Sequence, residues 1–311
     1  MKTRLVIGTR GSQLALWQAR WVQQALENRH PDLTTELVII KTKGDKILDV
    51  PLARVGGKGL FVTEIEDALR EGRIDLAVHS MKDMPARIPG DLCIGAVPVR
   101  ETPEDVFISH SGRGFKEMAP GAVIGTSSLR RAAQLRAARP DIKIRTIRGN
   151  LDTRLKKLDA KAYDAIVLAA AGVKRLQLTH RITEYLNLDV MLPAVGQGAL
   201  CIETRRYDPP VVPLVAALND PDTHTAITAE RAFLNRLDGS CQTPVAAYAR
   251  VENNLINMTG MVAGLDGHRR FEAAMSGPPE TAEQMGIRLA EQLLGQGARE
   301  ILDTLKALAN D

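Results

Sequence analysis

Aromatic residues make up only 4% of the chain, and no stretch gathers five or more charges of one sign. Proteins that hold single-stranded nucleic acid need aromatic stacking platforms and a basic track, so both scarcities argue against that class. The charge imbalance is slight as well: 41 Lys and Arg against 37 Asp and Glu leave a net +4. Cysteine is scarce and odd in number, three in 311 residues, which argues against a framework of paired thiols. No apolar run approaches the ~20 residues of a membrane-spanning helix. The run Leu5-Val-Ile7 is too short for the hydrophobic region of a secretory signal. A cytoplasmic protein is expected, one that meets a small anionic ligand with a few placed arginines.

The 44% of hydrophobic residues suffices for a sizeable core, and the length allows two or three domains on the usual prior of ~150 residues each. Residues 4–8 read as a strand, and Thr9-Arg-Gly-Ser12 leads into a helix capped by Ser12, with Leu14, Trp17, Trp21 and Ala25 as its apolar stripe. A strand from Thr35 to Lys41, a loop from Asp49 to Gly59, a helix marked by Phe61, Ile65 and Leu69, and a strand at Leu76-Ala-Val78 follow. The pattern then repeats. Val123-Ile-Gly-Thr126 echoes Val6-Ile-Gly-Thr9, and Asp164-Ala-Ile-Val167 echoes Asp75-Leu-Ala-Val78. Two similar α/β domains are predicted, joined by crossings at Pro98–Pro103 and Leu192–Gly198, with a strand at Ala199–Glu203 rejoining the first sheet. Composition changes after Pro209-Pro210, and an α+β third domain is expected from about residue 221. The expected boundaries are 1–98 with 199–216, 104–192, and 221–311.

The strand at Leu76 ends in polar residues: His79, Ser80, Lys82 and Asp83, closed by Pro85. Ligands of open α/β sheets bind beyond the carboxyl ends of the strands, so Asp83 is expected to project a carboxylate into a cleft; a turn cap is the alternative. Strand-to-helix junctions also collect Arg10, Arg130, Arg131, Arg148, Arg154 and Arg175. A guanidinium fork suits carboxylates or phosphates. Like charges ~4 Å apart repel by ~4 kcal/mol at an effective dielectric near 20, so a cleft crowded with them calls for a polyanionic ligand. The stems of Arg130 and Arg148 are expected at the cleft edge, with little role in folding.

Gly56-Gly-Lys-Gly59 lacks the first glycine and the Ser or Thr of a phosphate loop, and is read as a lid carrying Lys58 into the cleft, a solvent loop being the alternative. Cys93 and Cys201 sit in apolar strand sequence and are expected to be buried. Cys241 differs, lying in the polar loop Asp238-Gly-Ser-Cys-Gln-Thr-Pro244, where a thiol is open to covalent use; an inert loop thiol is the alternative. No Cys-x-x-Cys or histidine spacing suggests a metal.

Five of these stretches are Val55–Phe61, Val78–Pro85, Gly125–Arg131, Leu192–Gly198 and Gly239–Pro244. Together, in this order and over nearly the whole chain, they closely resemble the hydroxymethylbilane synthases, also called porphobilinogen deaminases. The resemblance implies an α/β fold of two periplasmic-binding-protein-like (type II) domains around a cleft, plus a smaller α+β third domain. It implies a monomeric transferase of tetrapyrrole and haem biosynthesis that joins four porphobilinogen molecules head to tail, with loss of ammonia, into hydroxymethylbilane. Growth would occur on a dipyrromethane cofactor held by a thioether to Cys241. Asp83 and Lys82 are implied as catalytic. Cofactor contacts would come from Ser12, Lys58, Ser80, Lys82, Asp83, Thr126, Ser128, Arg130, Arg131 and Arg148, and substrate contacts from Arg10, Ser12, Arg148, Arg154, Arg175 and Gln197. Arg54 stands where the family commonly has lysine, and Met84 where it commonly has valine. A non-enzymatic two-domain solute- or effector-binding protein is the alternative, but it leaves Cys241 and the third domain without a purpose.

Overall fold

The computed structural model describes residues 2–46, 62–239 and 243–310. In chain order its strands are β1 (Arg4–Thr9), β2 (Thr34–Ile39), β3 (Leu76–Ser80), β4 (Leu92–Ala96), β5 (Asp105–Ser109), β6 (Val123–Gly125), β7 (Lys143–Arg145), β8 (Ala165–Ala169), β9 (Glu184–Leu186), β10 (Leu200–Arg205), β11 (Val245–Glu252), β12 (Leu255–Ala263) and β13 (Arg270–Gly277).

The first sheet runs β2-β1-β3-β10-β4 and the second β7-β6-β8-β5-β9. Each has three parallel strands followed by one antiparallel strand, β10 beside β3 or β5 beside β8. That antiparallel strand is the first one after a crossing: β5 starts where the first linker ends, and β10 starts where the return ends. The two halves also share a side-chain device. Asp75 accepts from the Val6 amide at 2.9 Å, and Asp164 from the Val123 amide at 2.7 Å, each locking the turn before the third strand to the first. The repeat inferred from Val6 and Val123 is thus a repeat of structure, and the fold is the α/β class expected, with two like-built lobes and a third, smaller unit.

Both faces of the first sheet are covered, as the near-continuous apolar runs of its parallel strands require. Leu5, Ile7, Leu76 and Val78 pack with Ala19, Val22 and Leu26 of the helix Gln13–Arg29, while Ile74 and Ala77 pack with Ile65 and Leu69 of the helix Thr63–Arg70. In the third unit β11-β12-β13 form an antiparallel sheet whose alternating side chains, Met258 among them, close on Phe233 and Leu289 of the helices Pro221–Arg236 and Ala282–Leu293. Gly297, at φ 116°, lets the chain turn out of that last helix into Arg299–Asn310, where the glycine pair predicts a cap.

Two expectations need correction. The first helix buries Ala15, Gln18, Ala19, Val22 and Leu26 rather than the stripe through Trp17 and Trp21, and Trp21 is 39% exposed. The reason is tertiary: Leu14 and Trp17 face the other lobe. Leu14 lies beside Gly172, and the Trp17 ring lies 5.9 Å from the Arg175 guanidinium carbon. Cys93 is only half-buried, because β4 is the edge strand of its sheet; Cys201, one strand further in, is fully buried, which pushes its thiol pKa up.

Candidate active site

Strand β3 stops at Ser80, and Met81–Asp83 form one 3-10 turn closed by the Met84 amide donating to the Met81 carbonyl at 3.1 Å. Polarity splits the turn. Met81 and Met84 are buried, whereas Asp83 is exposed and Lys82 half-buried. Asp83 helps line a pocket of about 60 Å³ with Arg10, Ser12, Gln18, His79 and Ser80. The hydroxyls at its rim are anchored. Ser12 caps the first helix by accepting from the Ala15 amide at 3.3 Å, and Ser80 accepts from Gln18 Nε2 at 2.9 Å.

The second lobe repeats the arrangement at the end of β6. Thr126 Oγ1 accepts from the Ser128 amide at 3.1 Å, and Ser128 caps the helix Leu129–Ala138 by accepting from the Arg131 amide at 3.4 Å. Arg130 and Arg131 in the first turn go inward to Asp105, the first residue of β5. Arg130 Nη2 donates to Asp105 Oδ2 at 2.7 Å, and Arg131 donates to Oδ1 through Nη2 at 2.7 Å and Nε at 3.0 Å. Arg130 also donates to the Leu192 carbonyl at 2.5 Å, and Arg131 to that of Val167 at 3.0 Å. Burial alone would raise the Asp105 carboxyl, but the Arg130 and Arg131 guanidiniums outweigh it and hold the pKa at about 2. Arg130 is therefore not a cleft-edge stem with little role in folding: it is buried with Arg131, and Asp105 supplies both with counter-charge that was expected only from a ligand.

The remaining charges face each other across the cleft. Burial, then the positive charge of Arg131, pushes Lys82 down to about 8, against the opposing pull of Asp83 and Asp105. Burial, then Arg131, also pushes Arg154 down to about 10, with Asp83 opposing and Arg148 adding to the repulsion. Arg154 Nε donates to the Gly149 carbonyl at 2.8 Å, which fixes its stem. Lys82 and Arg154 thus both feel Arg131 and Asp83, and for each the burial and like-charge push outweighs the carboxylate's pull. Such a site favours an anion that brings carboxylates.

Two implied residues lie elsewhere. Arg175 is buried and donates to the Gly198 carbonyl at 2.7 Å; Gln197 is buried and donates to the Pro103 carbonyl at 2.7 Å and to Asp105 Oδ1 at 3.0 Å. Both brace the crossings between the lobes rather than line the Asp83 pocket. Lys58, Arg54 and Cys241 lie outside the described residues. Sequence reasoning missed Asp105 and Glu230. Glu230, fully buried, accepts from Arg100 Nη1 at 2.5 Å, the Gly196 amide at 2.6 Å and the Ala249 amide at 2.8 Å, tying both crossings to the third unit. A buried charge of this kind shows in sequence only as an acidic residue inside an otherwise apolar helix face or next to a linker.

Two like-built α/β lobes, with the carboxylates of Asp83 and Asp105 among clustered cations at the strand ends, define a two-lobed protein of the class whose cleft is built to meet an anion. A family profile described as "Porphobilinogen deaminase, dipyromethane cofactor binding domain" matches residues 5–212, and "Porphobilinogen deaminase, C-terminal domain" matches residues 224–295. A protein of Syntrophotalea carbinolica named porphobilinogen deaminase is 56% identical over 97% of this chain and 96% of its own length, and one of Geobacter sulfurreducens with the same name is 54% identical over 96% and 94%. Among solved structures, a methionine-binding protein superposes with a TM-score of 0.45 at 13% identity, over 70% of this chain and 89% of that one. The chain belongs to the porphobilinogen deaminase family. Membership brings a dipyrromethane cofactor and an enzymatic role, and does not favour the solute-binding alternative.

The site's own residues fit that cofactor. Two pyrroles, each with an acetate and a propionate, carry carboxylates of the kind whose binding would relieve Lys82 and Arg154, each pushed down by burial and by a neighbouring guanidinium.

Proposed function

We propose that this chain condenses four porphobilinogen molecules head to tail, with loss of ammonia, into hydroxymethylbilane, on a dipyrromethane joined by a thioether to Cys241. The observation that carries the reading is Asp83, an exposed carboxylate lining the pocket while the cations of both lobes converge on it. Loss of ammonia leaves the substrate as a cationic azafulvene. Asp83 stabilises that charge and accepts the pyrrole proton released when the new carbon–carbon bond forms. Arg10, Arg148 and Arg154 hold substrate carboxylates, Ser12 and Ser80 supply hydroxyls at the rim, and Thr126, Ser128 and Arg131 order the facing helix end. When bound, the cofactor supplies the terminal pyrrole on which the chain grows. We assign Arg130, Arg175 and Gln197 to shaping the cleft through Asp105 and the crossings, and Lys58 to the cofactor by resemblance alone.

We also take the chain to divide at 1–98 with 199–216, 104–192 and 221–311, a division supported by its three separate sheets, and to act as a monomer in the cytoplasm. Among the described residues no helix is long and apolar enough to cross a membrane.

Intact mass tests the central claim. The purified protein is expected to exceed its sequence mass by two linked pyrrole units, and peptide mapping should place them on Cys241. An adduct on Cys93 or Cys201, or active protein with Cys241 unmodified, would sink the assignment.

A pH profile tests Lys82. Burial and Arg131 bring its ammonium down to about 8 in the bare chain, and the carboxylates of the attached cofactor favour the charged form, so kcat/KM should fall on the alkaline side at pH ~8 or above. Bound carboxylates favour the ammonium, so the corresponding limb of kcat should lie at higher pH. Lys82→Arg keeps the charge at all these pH values, and should flatten both limbs. Limbs unchanged in that variant would assign them to another group.

A further inference from the structure

The helix Pro221–Arg236 does more than fill the third unit's core. Ile227, Arg231 and Asn235, spaced by four, form one stripe along it, and all three meet the chain around Asp83. Ile227 shares an apolar cluster with Met81 and Met84, the two methionines that flank Lys82 and Asp83. Arg231 Nη2 donates to the Pro85 carbonyl at 2.9 Å and to the Ala86 carbonyl at 3.1 Å, with Nη1 4.0 Å from Met81 Sδ. Asn235 Oδ1 accepts from Arg87 Nε at 2.9 Å.

The start and end of the catalytic turn are therefore held from different places. The Met81 amide donates to the carbonyl of Ala199, just past the return crossing, at 3.0 Å, and the Met84 amide closes the 3-10 turn. Gly196 of that crossing, at φ 72°, presses so close to Met81 that a Cβ there would lie 2.4 Å from its Cγ. Beyond Met84 the backbone has no amide at Pro85 to donate, and the two carbonyls that follow converge on Arg231. Four residues past Arg231 the same stripe ends at Asn235, shortly before the segment that carries Cys241.

Resting on the reading of Asp83 and Cys241 above, we propose that Arg231 is a positioning residue for Asp83. It fixes the exit of the catalytic turn on the helix that leads to the cofactor's attachment point, so that carboxylate and growing chain stay in register. Removing it leaves Asp83 in place chemically but free to drift, and a misplacement of ~1 Å can lower a rate by ~10²-fold.

The test is a double-mutant cycle on mass-verified, cofactor-bearing protein, using Arg231→Met and Asp83→Asn, with amide hydrogen exchange as the second readout. Arg231→Met is expected to lose at least ~10-fold in kcat with little change in KM, and to exchange faster at Met84, Ala86 and Arg87 than elsewhere. In the Asp83→Asn background it should lose nothing more, because its effect passes through that carboxylate. Arg231→Lys, which keeps the charge and one donor group, should fall between, and serves alone if Arg231→Met does not fold. Equal losses in both backgrounds, or unchanged exchange at 84–87, would overturn the inference while leaving Asp83 catalytic. An Asp83→Asn variant of full activity would overturn the reading of Asp83 and this inference with it.

Discussion

Asp83→Asn is expected to slow single-turnover deamination by ~10²–10⁴-fold or more while porphobilinogen still binds. Asparagine keeps the size and part of the hydrogen bonding, but it removes both the negative charge and the proton acceptor at the mouth of the pocket. The binding groups stay. Arg10, Ser12 and Ser80 line the same pocket, and Arg154 of the second lobe is close enough to feel the charge of Asp83. A second consequence follows from the charges around the turn. Asp83 opposes the downward push on Lys82, so its loss should move the Lys82 titration to lower pH and draw the alkaline limb of kcat/KM with it. Cofactor assembly uses related chemistry, so the comparison requires protein whose mass shows a complete cofactor. A rate within about threefold of the parent, less than ~1 kcal/mol of barrier, would remove Asp83 from the mechanism.

What the sequence made legible is what local chemistry announces. Apolar runs broken by a polar cluster located the ends of β1, β3 and β6, and hence most of the residues around the cleft. The paired Val-Ile-Gly-Thr stretches announced the duplication because each first strand needs the same close-packed backbone and each third strand the same aspartate at its start. What stayed hidden depends on distant partners. Arg130 and Arg131 read as cleft cations awaiting a ligand until β5, some 25 residues earlier, brings Asp105 beneath them. Leu14 and Trp17 read as core until a second lobe stands beside them. Arg231 has no local signature at all, since its acceptors are backbone carbonyls about 145 residues away. Periodicity reports which face of an element is apolar, and not which body that face will meet.

The largest stability effect is expected at Asp105 and Arg130, and it reverses what a cleft-edge placement of Arg130 implies. Asp105→Asn would leave two buried guanidiniums without a counter-charge, and Arg130→Ala would leave the carboxylate with Arg131 as its one ion-pair partner and remove a donor from the Leu192 carbonyl. Breaking one side of a buried ion pair typically destabilises by ~3–5 kcal/mol, a large share of a domain's stability. Arg148 is only half-buried and repels Arg154, so Arg148→Ala should change stability far less while reducing cofactor loading. Acid sensitivity supplies an independent check. Asp105 titrates at about 2 in the folded chain against 3.8 ordinarily, so its contribution is complete above pH ~4 and disappears as pH falls through ~2. Asp105→Asn should therefore lose stability at pH 7 and show a shallower further loss between pH 4 and 2 than the parent. Denaturant unfolding of Asp105→Asn, Arg130→Ala, Arg148→Ala and the Asp105/Arg130 double variant decides the matter. A shared role predicts that the double variant loses less than the sum of the singles, because each single already strands the other's partner. Equal midpoints for Arg130→Ala and Arg148→Ala would mean that Asp105 and Arg130 do not hold the second lobe together.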